Sequence, residues 1–264
     1  MKYSRSNSGL YVPQRLAPRA KQRGMFAMGP GFFKSGVSVS DPYKAAVLAD
    51  SPVIYWRLDE TSGTVAADTS GNGNAGTYAE DVSLLTAAGL LTTSTDKGIL
   101  LPSTAVGVTI ANPINTSLNW SVEALIKPTV VPPTSGVGAI FMLGPSGGNP
   151  EIDIQDAGSG TFFFRVMRSG LSQIFRSTST FAYGTRVHVV LTFASATGDL
   201  LLYENGVQDA NTGSMAYGNA GGNILFGMAN FGSNSYSCQG YADEAAVYST
   251  TLSATRVAAH YAAS

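Results

Sequence analysis

The sequence predicts an all-β protein of two antiparallel sheets packed face to face, with an extended arm before the sandwich and a short helix after it. Three observations lead there. Short runs of β-prone residues recur from about residue 53 to residue 248 with turn chemistry between them. Gly reaches 30 of 264 residues and only 12% of residues are charged, against roughly 25% in an ordinary soluble protein, a composition that suits closely packed turns. Basic residues are also unevenly placed. Residues 1–50 hold eight Lys or Arg against two acids and the remainder eight against fifteen, so a net charge of −1 hides a basic arm on an acidic body.

Residues 1–40 show no helical or strand period. Pro13, Pro18 and Pro30 interrupt them, and basic residues such as Arg15, Arg19, Lys21 and Arg23 are scattered rather than clustered. A linker is poor in large apolar groups, yet Met25, Phe26, Met28, Phe32 and Phe33 crowd together here. The expectation is a docking arm using Arg15, Arg19, Lys21, Arg23, Phe26, Phe32 and Phe33; the alternative is an extension packed back on its own domain. The charges are too sparse, and too far from any stacking module, to suggest nucleic acid. The apolar stretch Gly24-Met-Phe-Ala-Met-Gly-Pro-Gly-Phe-Phe33 is broken by Gly and Pro, so no secretory leader is expected. No run approaches the ~20 apolar residues of a membrane span, so no membrane insertion is expected.

The domain is expected to occupy residues 41–264. Asp41-Pro42 before Tyr-Lys-Ala-Ala-Val-Leu-Ala reads as a helix cap, Pro at the first helical position and two turns of helix ending before Ser51-Pro52. Strand candidates follow at 53–58, 75–79, 98–101, 106–111, 120–127, 138–143, 150–155, 161–168, 172–177, 186–194, 199–204, 222–228 and 238–248. Glu204-Asn-Gly206 before Val207 is a strong hairpin signal, and Ala196-Thr-Gly-Asp199 turns between two more strands. Trp120-Ser-Val-Glu-Ala-Leu-Ile-Lys-Pro128 alternates with Val122, Ala124 and Ile126 on one face. With 44% hydrophobic residues the chain can bury a core without a disulfide, and its one cysteine, Cys238, reads as a small buried residue.

Two distant segments, Ser51-Pro-Val-Ile-Tyr-Trp-Arg-Leu-Asp-Glu-Thr-Ser-Gly63 and Gly240-Tyr-Ala-Asp-Glu-Ala-Ala-Val-Tyr-Ser-Thr-Thr-Leu-Ser253, together with the hairpin over 186–207, resemble the laminin-G-like branch of the concanavalin A-like jelly rolls. The resemblance covers roughly residues 45–264. It implies a jelly-roll sandwich whose first and last strands pair, a fold that carries lectins, glycosidases and structural modules alike.

Four places could carry chemistry. In the turn Asp68-Thr-Ser-Gly-Asn-Gly-Asn74, Asp68, Ser70 and Asn72 sit at offsets one, three and five with Gly73 at six, like the head of an EF-hand loop, but Ala79 stands where a bidentate Glu is needed. The resemblance implies calcium held by Asp68, Asn74 and Asp243; the alternative is a turn capped by its own side chains. Glu151-Ile-Asp-Ile-Gln-Asp156 resembles the catalytic strand of glucanases on this fold, with Glu151 and Asp153 matching. Gln155 replaces the third carboxylate and cannot protonate a leaving group, so no catalytic residue is expected. His188 and His260 have no evident companions and read as a strand and a helix-face residue. The segments around Met215-Ala-Tyr217 and Asn230-Phe-Gly-Ser-Asn-Ser-Tyr236 offer aromatic rings beside small amides. Tyr217, Asn230, Phe231, Asn234 and Tyr236 are therefore the candidate sugar-binding set, with ordinary loop tips as the alternative.

The opening Tyr43-Lys-Ala-Ala-Val-Leu-Ala-Asp-Ser-Pro-Val-Ile-Tyr-Trp-Arg-Leu-Asp-Glu60 is similar to laminin-G-like domains of tailed-phage particle proteins. That resemblance implies a virion structural protein, a capsid decoration or minor tail protein, made in the host cytoplasm and exposed on the particle. Its arm would bind other capsid or tail proteins, its copies would form a homo-oligomer, and its jelly roll would meet a host-surface glycan. A secreted or cell-surface lectin is the alternative, and a glucanase the remote one.

Overall fold

The computed structural model describes residues 41–79, 83–101, 107–132, 136–144, 150–168, 172–216, 221–231 and 234–264, of which 83–88, 228–231 and 234–236 are described by backbone alone. The expected arm, with its seven docking candidates, and Tyr217 lie outside the described residues.

Helix α1 (Pro42–Ala49) begins where its cap predicts, with the Asp41 carboxylate accepting the Lys44 N–H at 2.9 Å and Pro42 filling a first-turn position that needs no donor. Strands β1 (Ile54–Trp56), β2 (Val65–Ala66), β3 (Gly76–Tyr78), β4 (Ser83–Ala88), β5 (Lys97–Leu101) and β6 (Val108–Ala111) follow. Next come β7 (Trp120–Pro128), β8 (Val137–Leu143), β9 (Pro150–Gly158), β10 (Thr161–Arg168), β11 (Ser172–Arg176) and β12 (Phe181–Ala182). The chain then runs through β13 (Val187–Ala194), β14 (Asp199–Glu204), β15 (Val207–Ser214), β16 (Asn223–Phe226), β17 (Met228–Phe231), β18 (Asn234–Ser237), β19 (Gly240–Tyr248) and α2 (Ala254–Ala263).

These strands form two sheets. The first has the order β15-β14-β13-β7-β19-β5-β4, with β1 also on β19; the second runs β11-β10-β9-β8-β16-β6-β3-β2, with β12 on β10 and the β17–β18 hairpin joined to β8. Among the described residues pairing is antiparallel except for one parallel bridge, Ser237 to Ala139. The first and last strands of the domain do pair, Ile54 opposite Val247 and Trp56 opposite Ala245. Hairpin turns sit where the sequence places them: Asn205 and Gly206 both take positive φ in the two-residue link from Glu204 to Val207, the backbone a type I′ turn requires.

Between the sheets lies the main core, in which Trp56 and Trp120 are fully buried and Trp120 stacks on Phe193 at 5.5 Å. Val122, Ala124 and Ile126 face this core as their alternation predicts. The outer face of the first sheet is covered by the two helices, where Tyr43 and Val47 of α1 and Val257 of α2 meet Tyr55, Leu125, Val190 and Tyr248. Since β7 is buried on both faces, Glu123 is buried with it.

Several expectations need correction. Asn230 and Phe231 lie on β17 and Asn234 and Tyr236 on β18, two paired strands where a loop was expected, and β2, β4, β12 and β15 were not anticipated as strands. Glu151 and Asp153 point outward from the second sheet but are buried, 3% and 2% exposed, where a half-exposed strand was expected.

Candidate functional site

The second sheet presents an outer face with no helix on it among the described residues. Residues directly opposite on antiparallel strands share a face, so the pairs Phe163 with Gln155, Arg165 with Asp153, Met167 with Glu151 and Arg165 with Arg176 place these side chains together on the outer side. Ile152, Ile154, Phe162, Phe164 and Val166 point into the core.

Charge on this face is arranged in two ways. Arg165 grips Asp153 through two bonds of 2.7 Å, from Nε and Nη2, the fork geometry in which a guanidinium fits a carboxylate. Burial lifts the Asp153 pKa and Arg165 pulls it back; the balance is a carboxyl above the usual range. Glu151 is pushed further up, first by burial and then by the neighbouring Asp153 charge. Near the end of the same face the Arg176 guanidinium lies 5.2 Å from the centre of the Phe163 ring. These two residues, with Asp156, Ala157, Ser177, Thr178 and Thr180, line a groove of about 290 Å³. Tyr183 donates to Asp156 at 3.2 Å beside it.

Of the expected sugar-binding residues, Asn230 and Phe231 lie on β17 and Asn234 and Tyr236 on β18, so the fold gathers four of them on one hairpin that joins β8 of the same sheet. Phe163 and Arg176 were missed. The run Phe162-Phe-Phe164 held the signal, because in an alternating strand its middle ring must face away from the core.

The calcium set expected from the sequence does not come together. Asp68 uses its carboxylate on its own turn: Oδ1 accepts the N–H groups of Tyr55 at 3.0 Å and Ser70 at 2.9 Å, and Oδ2 accepts the Ser70 hydroxyl and the Asn74 N–H, both at 2.8 Å. Four donors fill the four lone-pair sites of a carboxylate. Burial opposes the charge, but the Ser70 hydroxyl and the three N–H groups outweigh it and hold the Asp68 pKa low. Asn74 donates to the Val53 carbonyl at 2.9 Å and accepts from the Trp56 indole at 3.0 Å. Strand β1 separates this turn from β19, with Trp56 bridging Asp68 on one side and facing Ala245 on the other. Two strand spacings are about 10 Å.

Asp243 instead joins Asp96 and Glu244, with one oxygen from each residue within 4.8 Å of the others. A bulge makes this possible. Asp243 lies opposite Leu125 and Ala246 opposite Glu123, so β19 carries one extra residue, and Glu244 takes φ +54 there. Both acids then face the outer side of the first sheet instead of alternating.

His188 and His260 do have companions, which their sequence positions concealed. Both approach Glu123, His188 Nε2 at 3.1 Å and His260 Nδ1 at 3.0 Å, and Tyr248 donates to the same carboxylate. His260 Nε2 also meets Asp50 at 2.7 Å, and Arg256 holds Asp50 through Nε. Burial would raise the Glu123 pKa, but the two histidines outweigh it and bring it down to about 2. Cys238 is buried, and burial pushes its thiol up to about 12, consistent with an inert packing residue.

A family profile of the laminin G type, described as the concanavalin A-like lectin/glucanases superfamily, matches residues 102–258. No curated protein matches the sequence. Among solved structures, a Trypanosoma rangeli sialidase in complex with 2,3-difluorosialic acid aligns with a TM-score of 0.59 at 14% identity, over 80% of this chain and 32% of that one. The ligand-binding domain of botulinum neurotoxin serotype D, in complex with N-acetylneuraminic acid, aligns with a TM-score of 0.57 at 17% identity, over 83% of this chain and 52% of that one. The chain thus spans only a third to a half of these structures, and the likeness is one of fold.

Proposed function

This chain belongs to the concanavalin A-like lectin/glucanase superfamily, and from that premise we propose that it is a non-catalytic glycan-binding module displayed on a virus particle. The observation that carries the glycan reading is the groove on the open face. Phe163 offers a flat apolar ring, Arg176 a planar donor set above it, and Asp156, Ser177 and Thr178 small polar groups at the rim. A pyranose needs such a combination, an apolar face to stack on and hydrogen-bonding groups around its hydroxyls. The β17–β18 hairpin adds Asn230, Phe231, Asn234 and Tyr236 to the same sheet. Proteins of similar fold whose structures hold sialic-acid ligands support a sugar as the ligand class.

Against catalysis, Asp153 is locked in its ion pair with Arg165 and Gln155 occupies the position of a second working carboxylate. Burial raises the Glu151 carboxyl so that it holds a proton near neutral pH, but Asp153 beside it is tied to Arg165, and one free carboxyl without a partner does not complete a glycosidase. The particle reading rests on the basic, aromatic residues 1–40 and on the phage-like opening segment.

A glycan array on the full-length protein, repeated with Phe163→Ser and Arg176→Ala, tests the first part. Signal on a restricted sugar class that both variants lose supports it; a blank array from folded wild-type protein removes it. Co-sedimentation with particles, with and without residues 1–40, tests the second. Arm-dependent pelleting supports display, whereas pelleting independent of the arm, or none, leaves a free-standing lectin.

A further inference from the structure

At the end of β14 a carboxylate points inward. Leu200 and Leu202 face the core between the sheets, and alternation along the strand turns Glu204 to the same side. Glu204 is 7% exposed, and its Oε1 is buried with no hydrogen-bond partner among the described residues. The hydroxyls of Ser177 and Ser179, on the link from β11 to β12, donate to the same carboxyl. This link and the β14–β15 hairpin line a pocket of about 380 Å³, in which Glu204 and Asp209 supply the charge and Phe181, Val207 and Ala210 the apolar wall.

Asp209, 5% exposed, is largely spent on that wall. Its Oδ2 accepts the Thr178 N–H at 2.8 Å and the Thr178 hydroxyl at 2.7 Å, and its Oδ1 accepts the Asn211 N–H at 2.7 Å, so three of about four lone-pair sites are taken. Glu204 is not spent. Burial raises its carboxyl above the usual range, the serine hydroxyls offset part of that, and Asp209 raises it further. A buried carboxylate oxygen without a donor is costly, and a cationic ligand would bring the donor.

The kind of cation follows from what remains free. A calcium-class ion needs about six to eight oxygens, more than this pair can give. A guanidinium fits a carboxylate as a fork across both oxygens, and the serine hydroxyls engage one of the two. An ammonium is a compact point charge that a single free oxygen can hold, and an apolar wall suits the methylene stem behind it. We infer that this pocket binds a primary alkylammonium group, that of a lysine side chain or of a free aliphatic amine, with Glu204 as its counter-ion and Phe181 and Val207 against its stem. The inference does not depend on the glycan reading, because Glu204 and Arg176 line separate pockets.

Full-length protein is titrated with n-butylammonium chloride and followed by saturation-transfer NMR and thermal unfolding, with n-butanol and sodium chloride as controls. Saturable transfer to butylammonium and a rise in Tm are expected, with neither from n-butanol. Glu204→Gln should weaken binding at least about tenfold, the loss of one charged hydrogen bond, while Arg176→Ala should keep it. Val207→Lys, at a position 70% exposed, should block the pocket with its own ammonium, and this variant decides if Glu204→Gln does not fold. Nα-acetyl-lysine methylamide separates the two sources: transfer equal to that of butylammonium assigns the pocket to a partner protein's lysine, transfer to butylammonium alone to a free amine. The inference falls if folded wild-type protein responds to neither amine at millimolar concentration, if n-butanol binds as well as butylammonium, or if Glu204→Gln binds like wild type. Binding lost in Arg176→Ala but kept in Glu204→Gln would place the amine in the groove instead.

Discussion

The two outer faces of the sandwich carry similar residues and put them to different uses. Over the first sheet, α1 and α2 seal a second core, and the charges beneath them, Glu123 with His188, His260 and Asp50, meet partners from four separate elements. Over the second, Asp153 has Arg165, but Glu151 has no ion pair among the described residues and Arg176 rests on an aromatic ring. On the sealed face the Glu123 carboxylate is fully engaged by its neighbours. The outer face of the second sheet instead sets the Arg176 guanidinium beside an apolar ring, the combination on which the glycan proposal rests.

The comparison breaks most visibly at Glu123. Glu123→Ala leaves two histidines and a tyrosine hydroxyl without their shared partner and should cost about 3–5 kcal/mol in urea denaturation; a loss under 1 kcal/mol would mean the sealed face is not held by this cluster. On the open face, Arg165→Ala strands the buried Asp153 and should cost about 2 kcal/mol at pH 7, since part of the pair is accessible. That cost should shrink in acid, where Asp153, already raised by burial, takes a proton.

The pH dependence of the urea midpoint sharpens the contrast. Glu123 has its folded pKa lowered from 4.5 to about 2, so its contribution is present above pH 4.5 and fades as pH falls through about 2. His260 has its folded pKa raised above 6.5, against the effect of burial and by virtue of Glu123 and Asp50, so its contribution is complete below pH 6.5 and fades as pH rises through the raised value. Stability should therefore crest between pH 4.5 and 6.5, and His260→Asn should flatten the alkaline slope. Glu151 acts oppositely to Glu123: its raised pKa favours the folded state in acid, and Glu151→Gln should make the protein less sensitive to rising pH. Smallest in stability is Arg176→Ala, within about 0.5 kcal/mol. Its effect should appear in sugar binding instead, and a destabilisation with unchanged binding would move the site off this groove.

Much of the scaffold was legible because its signals are local. The Asp41-Pro42 cap, the alternation through Trp120–Lys127 and the Asn205-Gly206 turn each act within a few residues. The missed strands lacked such signals. Val207–Ser214, rich in Asn, Asp, Gln, Gly and Thr, becomes β15 because the two-residue turn sets it in register on β14, overriding its weak propensity. The clusters were less legible still. Glu123 lies 65 residues from His188 and 137 from His260, and no spacing rule spans such distances. The bulge that turns Asp243 and Glu244 to one side has no glycine to announce it. The Asp68 turn illustrates the opposite error: its oxygen-rich pattern is real, but backbone amides occupy those oxygens.

The pairing of β1 with β19 brings the two ends of the domain side by side, α1 entering and α2 leaving over the same sheet. Anything joined after residue 264 therefore begins on the side opposite the Phe163–Arg176 groove. An affinity tag, a fluorophore or a surface tether at that position should leave the groove facing away from the attachment, so orientation on a sensor chip comes with the topology.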